Sequence, residues 1–281
     1  MPISSLLAED VPLLEVKDLT VSFAAQHGRT TIVSDVSLSI PAGKTLGLVG
    51  ESGCGKSTLT RAILRLIDAD SGSIKVQGNE WSGLTRRQMI SNRQMAQLIF
   101  QDPYSSLNPR WRVGRLLEEP LIIHGIGDAA ERKQRVDEML AAVGLPEDAL
   151  TKFSHQFSGG QRQRISIARA LILRPKLVIC DEPVSALDVS VQAQILNLLV
   201  DLQERFGITY LFVSHDLAVV EYIADAVAVM ENGRIVESGA TQELLRKAAH
   251  PYTRRLLASG GYQAYQGDDG KGLNAYSSIA H

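Results

Sequence analysis

The residues with the clearest chemical pattern form a glycine-rich stretch at residues 50–58. The stretch fits G-x-x-x-x-G-K-[ST] and reads Gly50-Glu51-Ser52-Gly53-Cys54-Gly55-Lys56-Ser57-Thr58. In such a loop, backbone N–H groups face an anion, and the following helix adds the positive end of its dipole. Lys56 would reach the β- and γ-phosphates of a nucleotide, and the Ser57 hydroxyl would bind Mg²⁺. The stretch therefore predicts a phosphate loop.

The residues on either side of this stretch belong to the elements that a phosphate loop needs. An apolar run at 45–49 predicts a strand that enters the loop, and a helical spacing of apolar residues follows it at Leu59, Ala62, Ile63 and Leu66. The alternative is a glycine-rich turn that matches the pattern by chance. The strand and the helix favour nucleotide binding over that alternative.

Two carboxylates follow a second apolar run. Leu177–Cys180 predicts a buried strand, and Asp181 and Glu182 come directly after it. Ligands of open α/β sheets bind at this end of a strand, so Asp181 would bind Mg²⁺ and Glu182 could polarise an attacking water. The alternative is a strand end that meets a solvated turn. A phosphate loop in the same chain favours catalysis, because hydrolysis needs a metal ligand and a base near the γ-phosphate.

A third group, Ser158-Gly159-Gly160-Gln161, precedes a helix with apolar residues at Ile165, Ala168 and Ile172. Ser158 is a plausible N-cap, and the two glycines expose backbone donors. A capped helix after a glycine turn is the alternative. The Asp-Glu strand comes later in the same chain. Together with that strand, these four residues resemble the signature of the ABC ATPase superfamily. From Leu14 to about Leu257 the chain is similar to an ATP-binding subunit of an ABC transporter.

The resemblance implies an α/β fold: a P-loop cassette with a RecA-like parallel-sheet core, an antiparallel β-subdomain and a helical insertion at about 102–165 within a domain spanning 14–257. It implies ATP and Mg²⁺ as cofactors. It also implies a dimer in which Ser158, Gly159 and Gly160 of one subunit contact the γ-phosphate bound by the loop of the other. We expect the glycine-rich tail at 258–281 to be poorly ordered.

Other family elements match residue by residue. Gln101 resembles the glutamine that joins the metal and water site to the helical subdomain, and Ser185–Asp188 resembles the loop that crosses the dimer interface. His215 resembles the histidine that contacts the γ-phosphate; a structural histidine is the alternative. Phe23 lies where the family has an aromatic residue that stacks on adenine, and an ordinary core phenylalanine is its alternative. The implied catalytic residues are Lys56, Gln101, Glu182 and His215, and the implied metal ligands are Ser57, Gln101 and Asp181.

Two longer matches indicate a subclass. The segments 100–109 and His250-Pro251-Tyr252-Thr253 are similar to importers of the oligopeptide, dipeptide and nickel class. This resemblance implies a second ATP-binding subunit, identical or paralogous, two membrane permease subunits and, indirectly, an extracytoplasmic solute-binding protein. The expected location is the cytoplasmic face of the cell membrane, and the solute stays open. No cysteine follows Cys180, so we expect no iron–sulfur cluster of the kind that some relatives carry near the C-terminus.

Composition excludes several classes of function. A net charge of −2 gives no basic surface for general nucleic-acid binding, and no run approaches the roughly 18 apolar residues of a membrane span. The two cysteines, Cys54 and Cys180, match no metal spacing and suit a reducing cytosol. A soluble ABC ATPase acting on DNA or ribosomes is one alternative, but the usual coiled-coil insertion, zinc cysteines or second cassette do not occur. A small-molecule kinase, the other alternative, has no need of the signature.

Hydrophobic periodicity predicts the remaining elements. The predicted strands are 14–23, 31–40, 73–76, 95–100, 177–180, 209–213 and 226–229, with a turn at 25–29. The predicted helices are 113–123, 129–143, 147–152, 189–206 and 217–224. In the segment after Gln101, we expect Tyr104, Leu107 and Trp111 to meet a permease; packing on their own domain is the alternative.

Overall fold

In the computed structural model, the described residues are 11–25, 28–102 and 106–259. The strands are β1 (Leu14–Ala25), β2 (Gly28–Ile40), β3 (Thr45–Val49), β4 (Ser71–Val76), β5 (Asn79–Glu80), β6 (Ala96–Ile99), β7 (Leu177–Asp181), β8 (Thr209–Ser214), β9 (Ala226–Glu231) and β10 (Arg234–Ala240). The helices are α1 (Lys56–Ile63), α2 (Arg86–Asn92), α3 (Val113–Ile123), α4 (Ala129–Ala142), α5 (Gly159–Leu171), α6 (Val189–Phe206), α7 (Leu217–Ile223), α8 (Thr241–Arg246) and α9 (Pro251–Ser259).

The chain divides into two compact units, residues 1–85 with 209–281 and residues 86–208. The helical insertion predicted at about 102–165 falls within the second unit, and its status as a subdomain stays a prediction. The tail predicted from residue 258 begins too early, because Ala258 and Ser259 belong to α9. The rest of that tail lies outside the described residues.

An antiparallel sheet forms one part of the first unit, with the strand order β2-β1-β4-β5. Residues that alternate along β1, such as Leu14 and Val16, are buried, as expected for a strand with one face on the core. The predicted antiparallel sheet is thus confirmed. The predicted turn at 25–29 is too wide, because Ala25 pairs with Gly28 and Ala24 with Arg29.

The strand that enters the phosphate loop is central to a parallel arrangement in the same unit. β3 pairs in parallel with β8 and with β9, and β10 continues from β9 as an antiparallel hairpin. All five residues of β3 are buried, as in a parallel strand covered on both faces. α1 ends at Ile63, and Leu66 is 47% exposed, so the predicted helix is too long at that end.

The second unit holds the parallel pair β6 and β7, with Ile99 opposite Cys180. α3 and α6 have the predicted bounds, and α4 ends one residue before the predicted Val143. The segment predicted as a helix at 147–152 is a short 3-10 helix, Glu147–Thr151. Along α6, Ile195, Leu199 and Leu202 are buried, as expected for a helix with one face on the core.

Candidate nucleotide site

The phosphate loop connects β3 to α1 and requires glycine at two positions. A Cβ atom at Gly50 would lie 2.2 Å from the carbonyl oxygen of Met230. At Gly55, φ is +109° and a Cβ atom would lie 2.8 Å from the carbonyl oxygen of Ile32. Gly55 is also the N-cap of α1, so its left-handed conformation starts the helix at Lys56. The loop backbone therefore adopts a shape that other residues could not adopt at these two positions.

Lys56 lies within this loop and is only 6% exposed. Its ammonium group donates hydrogen bonds to the carbonyl oxygens of Gly50, at 2.6 Å, and of Glu51, at 2.9 Å. Neither partner carries a formal charge. A phosphate that enters the loop could therefore replace these carbonyls as the lysine's partner and gain a charge-assisted hydrogen bond.

The outer surface of the loop is open to solvent. Glu51, Ser52, Gly53 and Ser57 are exposed, and Thr58 is half-buried. Cys54, by contrast, is buried, and burial raises the pKa of its thiol, with the nearby Lys56 charge opposing that shift. The cysteine therefore stays neutral at physiological pH and adds no negative charge to a site for phosphates.

His215 and Phe23 also lie in the first unit. Val49 pairs with Ser214 across β3 and β8, so Gly50 and His215 leave neighbouring parallel strands at the same level. The His215 side chain is exposed there. Phe23, on β1 opposite Thr30, is 44% exposed. The core alternative for Phe23 is therefore wrong, and its contact with adenine stays a prediction.

The second unit brings Gln101 and the Asp-Glu pair together at the ends of β6 and β7. Asp181 is the last residue of β7, and Glu182 follows it with φ of 49°, a left-handed conformation that is uncommon for glutamate. The Gln101 side-chain amide donates to the Glu182 carboxylate at 3.1 Å and to the Ser185 hydroxyl at 3.4 Å. The amide nitrogen faces Glu182, and the amide oxygen is a group that could bind a metal or a water.

The predicted cap of the signature helix is confirmed. The Ser158 hydroxyl accepts from the Gln161 N–H at 3.3 Å, and the Gln161 side chain accepts from the Ser158 N–H at 3.1 Å, which completes a capping box. A Cβ atom at Gly160 would lie 2.5 Å from a Val191 methyl group, and one at Gly159 would lie 3.5 Å from Leu187. The signature thus packs against the start of α6.

Asp188 is the N-cap of α6. Its carboxylate accepts from the Ser190 hydroxyl at 2.7 Å and from the Val191 N–H at 3.0 Å. These hydrogen bonds, the Ser190 hydroxyl above all, lower the pKa of the carboxyl group. Val191 is also the residue that Gly160 approaches. The predicted interface loop and the signature therefore both contact the first turn of α6.

The docking segment predicted after Gln101 is described only in part. Tyr104 lies outside the described residues. Leu107 is 3% exposed, so its inclusion among surface side chains is wrong, and the packing alternative holds for it. Trp111 is half-buried, and the Arg115 guanidinium lies 4.3 Å from the centre of its ring.

Tyr252 contacts the loop and was missed by sequence reasoning. The hydroxyl of Tyr252 on α9 accepts a hydrogen bond from the Glu51 N–H at 2.9 Å. The pattern His-Pro-Tyr-Thr identified Tyr252 only as a subclass marker. Tyr252 and Glu51 are far apart in the sequence, so no local pattern predicts their contact. Only the fold shows it.

These local structures agree with comparisons to known proteins. The sequence profile of the ABC transporter family matches residues 33–185, and the chain belongs to this family. It is an ABC ATPase cassette. Its parallel core, antiparallel sheet and helices confirm the predicted fold class.

Two of the similar proteins are named as ATP-binding proteins of peptide transport. The chain is 48% identical to the oligopeptide transport ATP-binding protein OppF of Bacillus subtilis, with 88% of this chain and 82% of the relative covered. It is 46% identical to the di/tripeptide transport ATP-binding protein DppF of Pseudomonas aeruginosa, with 88% and 78% covered.

Among solved structures, cbiO1 from Clostridium perfringens, part of the transporter complex cbiONQ, matches with a TM-score of 0.76 and 28% identity over 89% of this chain and 96% of that one. A dimeric post-hydrolysis state of the cassette MJ0796 with ADP and Pi matches with a TM-score of 0.74 and 28% identity, covering 81% and 98%. Within residues 11–25, 28–102 and 106–259, no helix has the length and apolar character to span a membrane.

Proposed function

We propose that the chain hydrolyses ATP to power an importer of peptides or of a related small solute. The observation that carries this proposal is the similarity to OppF and DppF, at 48% and 46% identity over 88% of the chain. Both names refer to peptide transport. Because the similarity extends beyond the motifs that all such cassettes need, it supports the subclass as well as the reaction.

The phosphate loop is proposed to bind the ATP phosphates. Its glycines let the backbone N–H groups approach the phosphate oxygens, and α1 presents its N-terminus to them. Lys56 would exchange its two carbonyl partners for the β- and γ-phosphate oxygens. Phe23, exposed on β1, would stack on adenine.

The chemistry of the proposed ligands suits Mg²⁺. Ser57, Asp181 and Gln101 would offer a hydroxyl, a carboxylate and an amide oxygen, the hard oxygen ligands that Mg²⁺ prefers. In the part of the chain that the structure describes, no cluster of three or more His, Cys, Asp or Glu could hold a metal by itself. Mg²⁺ is usually bound by one or two protein groups together with substrate phosphates, and it would neutralise charge on them.

Glu182 is proposed as the residue that orients and deprotonates the attacking water. Its hydrogen bond with Gln101, at 3.1 Å between the amide nitrogen and one carboxylate oxygen, would orient the carboxylate toward that water. His215, exposed after β8, would contact the γ-phosphate. Phosphoryl transfer needs charge stabilisation, which Lys56 would supply, and a positioned water, for which Glu182 is the proposed base.

The functional unit is proposed to be a dimer of ATP-binding subunits, identical or paralogous. The neighbouring MJ0796 structure is described as dimeric, which supports this arrangement. Ser158, Gly159, Gly160 and Gln161 would contact the nucleotide bound by the partner's loop, and Asp188 would lie at the interface. Two membrane permease subunits would hold the dimer at the cytoplasmic face of the membrane, and a solute-binding protein would deliver the cargo.

Uptake in cells tests this proposal. A strain that lacks the gene is complemented with the normal chain, with Lys56→Ala or with Lys133→Ala, and uptake of a labelled di- or oligopeptide is measured. Lys133 is exposed and pairs with Asp137 on α4, so its loss serves as a matched control for charge. We expect uptake with Lys133→Ala and none with Lys56→Ala. Equal peptide uptake by the deletion strain and the complemented strain would exclude a peptide importer.

A further inference from the structure

The contact between Tyr252 and Glu51 joins the last described helix to the phosphate loop. The Glu51 N–H donates to the Tyr252 hydroxyl at 2.9 Å. Tyr252 is 4% exposed, so this hydroxyl is withdrawn from water and the bond is protected from competing solvent. Burial also raises the pKa of the Tyr252 phenol, which keeps it neutral.

The start of α9 fixes the position of Tyr252. The Glu237 carboxylate on β10 accepts from the backbone N–H groups of Ala249, at 2.7 Å, and His250, at 3.1 Å. The imidazole of His250 then accepts from the Tyr252 N–H at 3.3 Å, and Pro251 occupies the first helical position. The His-Pro-Tyr sequence therefore sets where the helix begins, and with it where the phenol points.

Packing holds the rest of the helix. Leu256 and Leu257 are buried, as is Thr253. On the outer side, the Arg255 guanidinium lies 5.8 Å from the centre of the Tyr252 ring and pairs with Glu231 at 3.4 Å. These contacts hold α9 and the Tyr252 ring in place, so the Tyr252 hydroxyl has a defined position.

Both backbone polar groups of Glu51 have hydrogen-bond partners. Its carbonyl accepts from Lys56 at 2.9 Å, while its N–H is bound by Tyr252. The β9–β10 hairpin supports a second point of the loop, because the Gly233 N–H donates to the Cys54 carbonyl at 2.9 Å. If a phosphate draws Lys56 away from the Glu51 carbonyl, the Tyr252 hydroxyl remains as a partner of that residue.

We propose that Tyr252 is a positioning residue for nucleotide binding, whose hydroxyl fixes the Glu51 peptide and keeps the phosphate loop in its binding shape before ATP arrives. The inference rests on the proposed role of the loop. A loop ordered in advance loses less conformational freedom when the nucleotide binds, so affinity is higher. An ordered loop strengthens binding of the ground state and of the transition state equally. Loss of that order should therefore raise KM and leave kcat nearly unchanged.

The variant Tyr252→Phe removes the hydroxyl and keeps the ring. We expect the Kd of a fluorescent ATP analogue to rise by about threefold to tenfold, the range of one neutral hydrogen bond. KM for ATP should rise by a similar factor while kcat changes by less than about twofold. Hydrogen exchange of the Glu51 amide, followed by NMR on the full chain without nucleotide, should become faster.

Leu257→Val is the matched control, because it trims a buried side chain of the same helix and leaves the hydroxyl in place. It should lower Tm without changing Kd or the exchange of the Glu51 amide. An equal rise in Kd for Leu257→Val at an equal loss of Tm would overturn the inference, since general loosening of α9 would then explain the effect. Unchanged Kd and unchanged Glu51 exchange in Tyr252→Phe would overturn it as well.

Lys56→Ala separates this inference from the proposed role of the loop. Loss of binding in Lys56→Ala together with normal binding in Tyr252→Phe contradicts only the positioning role. Normal binding in Lys56→Ala contradicts the phosphate-loop assignment itself. Weaker nucleotide binding in both Lys56→Ala and Tyr252→Phe, with normal binding in Leu257→Val, supports both the phosphate-loop assignment and the positioning role of Tyr252.

Discussion

The side-chain amide of Gln101 lies 3.1 Å from the carboxylate of Glu182, although 80 residues separate them along the chain. The contact exists because β6 and β7 are parallel neighbours, with Ile99 opposite Cys180, so both residues leave the same end of the pair. The left-handed backbone at Glu182 turns the chain there. If Glu182 is the base, as proposed, this contact would orient it for water activation.

Replacement of Glu182 by glutamine should separate binding from hydrolysis. We expect ATP binding to survive in Glu182→Gln and ATP turnover to fall by about 10²–10⁴-fold, as for the loss of a positioned base. An ATP-bound dimer should accumulate, which size-exclusion chromatography with ATP and magnesium would detect. Glu204→Gln, an exposed change on α6, is the control and should behave as the normal chain. A monomeric Glu182→Gln in the presence of its proper partner subunit would contradict the base assignment or the dimer.

Lys56→Ala should abolish ATP turnover. The transfer depends almost wholly on electrostatics, and this change removes the fixed positive charge at the β- and γ-phosphates. Because the lysine also bonds to two loop carbonyls, its loss should loosen the loop before nucleotide binds. A phosphate-release assay measures turnover, and hydrolysis near the normal rate would contradict the assignment.

Local pattern was sufficient for much of this structure. The loop motif, the Ser158 cap and the bounds of α3 and α6 all depend on residues close together in sequence. β5, β10, α2, α8 and α9 were not predicted. β10 is only partly buried along its length and so lacks the alternation that marks a strand, and α8 has only six residues. Family resemblance implied that Gln101 and Glu182 belong to one site but not that they are hydrogen-bonded, and the Tyr252–Glu51 contact was not predicted at all.

The close approach of Gly160 to Val191 allows the structural and functional roles of the signature to be separated. A Cβ atom at Gly160 would lie 2.5 Å from a stiff valine side chain, so Gly160→Ala should destabilise the protein by about 1–3 kcal/mol. Val191→Ala removes the obstructing methyl groups. We expect the double variant to regain much of the lost Tm.

ATP turnover gives the second measurement in this cycle. If the Gly160 backbone contacts a nucleotide bound by the partner, the double variant should stay well below normal turnover despite its recovered stability. Val191→Ala alone is the control for the valine. Full recovery of turnover together with Tm would show that Gly160 is needed only for packing.

Asp188 should give stability a dependence on pH. Its folded-state pKa is lowered from the ordinary value of 3.8, so its carboxylate stabilises the protein above that value. The contribution fades as pH falls through the lower folded-state pKa. Asp188→Ala should therefore lower Tm by about 1–8 °C at pH 7, the range expected for a lost N-cap. The difference between the two chains should narrow below about pH 4. A difference independent of pH in this range would contradict the capping role of the carboxylate.

We expect the segment after Gln101 to couple ATP hydrolysis to transport. Leu107, which is buried in the same segment, provides a control. Trp111 is half-buried, whereas Leu107 is 3% exposed. Replacing Tyr104 and Trp111 with alanine should leave basal ATP hydrolysis of the isolated subunit nearly intact, because the proposed phosphate and base residues are unchanged. Solute uptake and stimulation of hydrolysis by the assembled transporter should fall together if these rings meet a permease.

Leu107→Ala should behave differently, because loss of a buried leucine costs about 2–5 kcal/mol of stability. It should lower Tm and reduce basal and stimulated hydrolysis alike, so it shows what disruption of the protein's own packing looks like in the same assays. If the Tyr104 and Trp111 double variant reproduces that pattern, the two rings belong to the core of their own unit. Retained basal activity with a normal Tm and lost uptake would place their role at the contact with a permease.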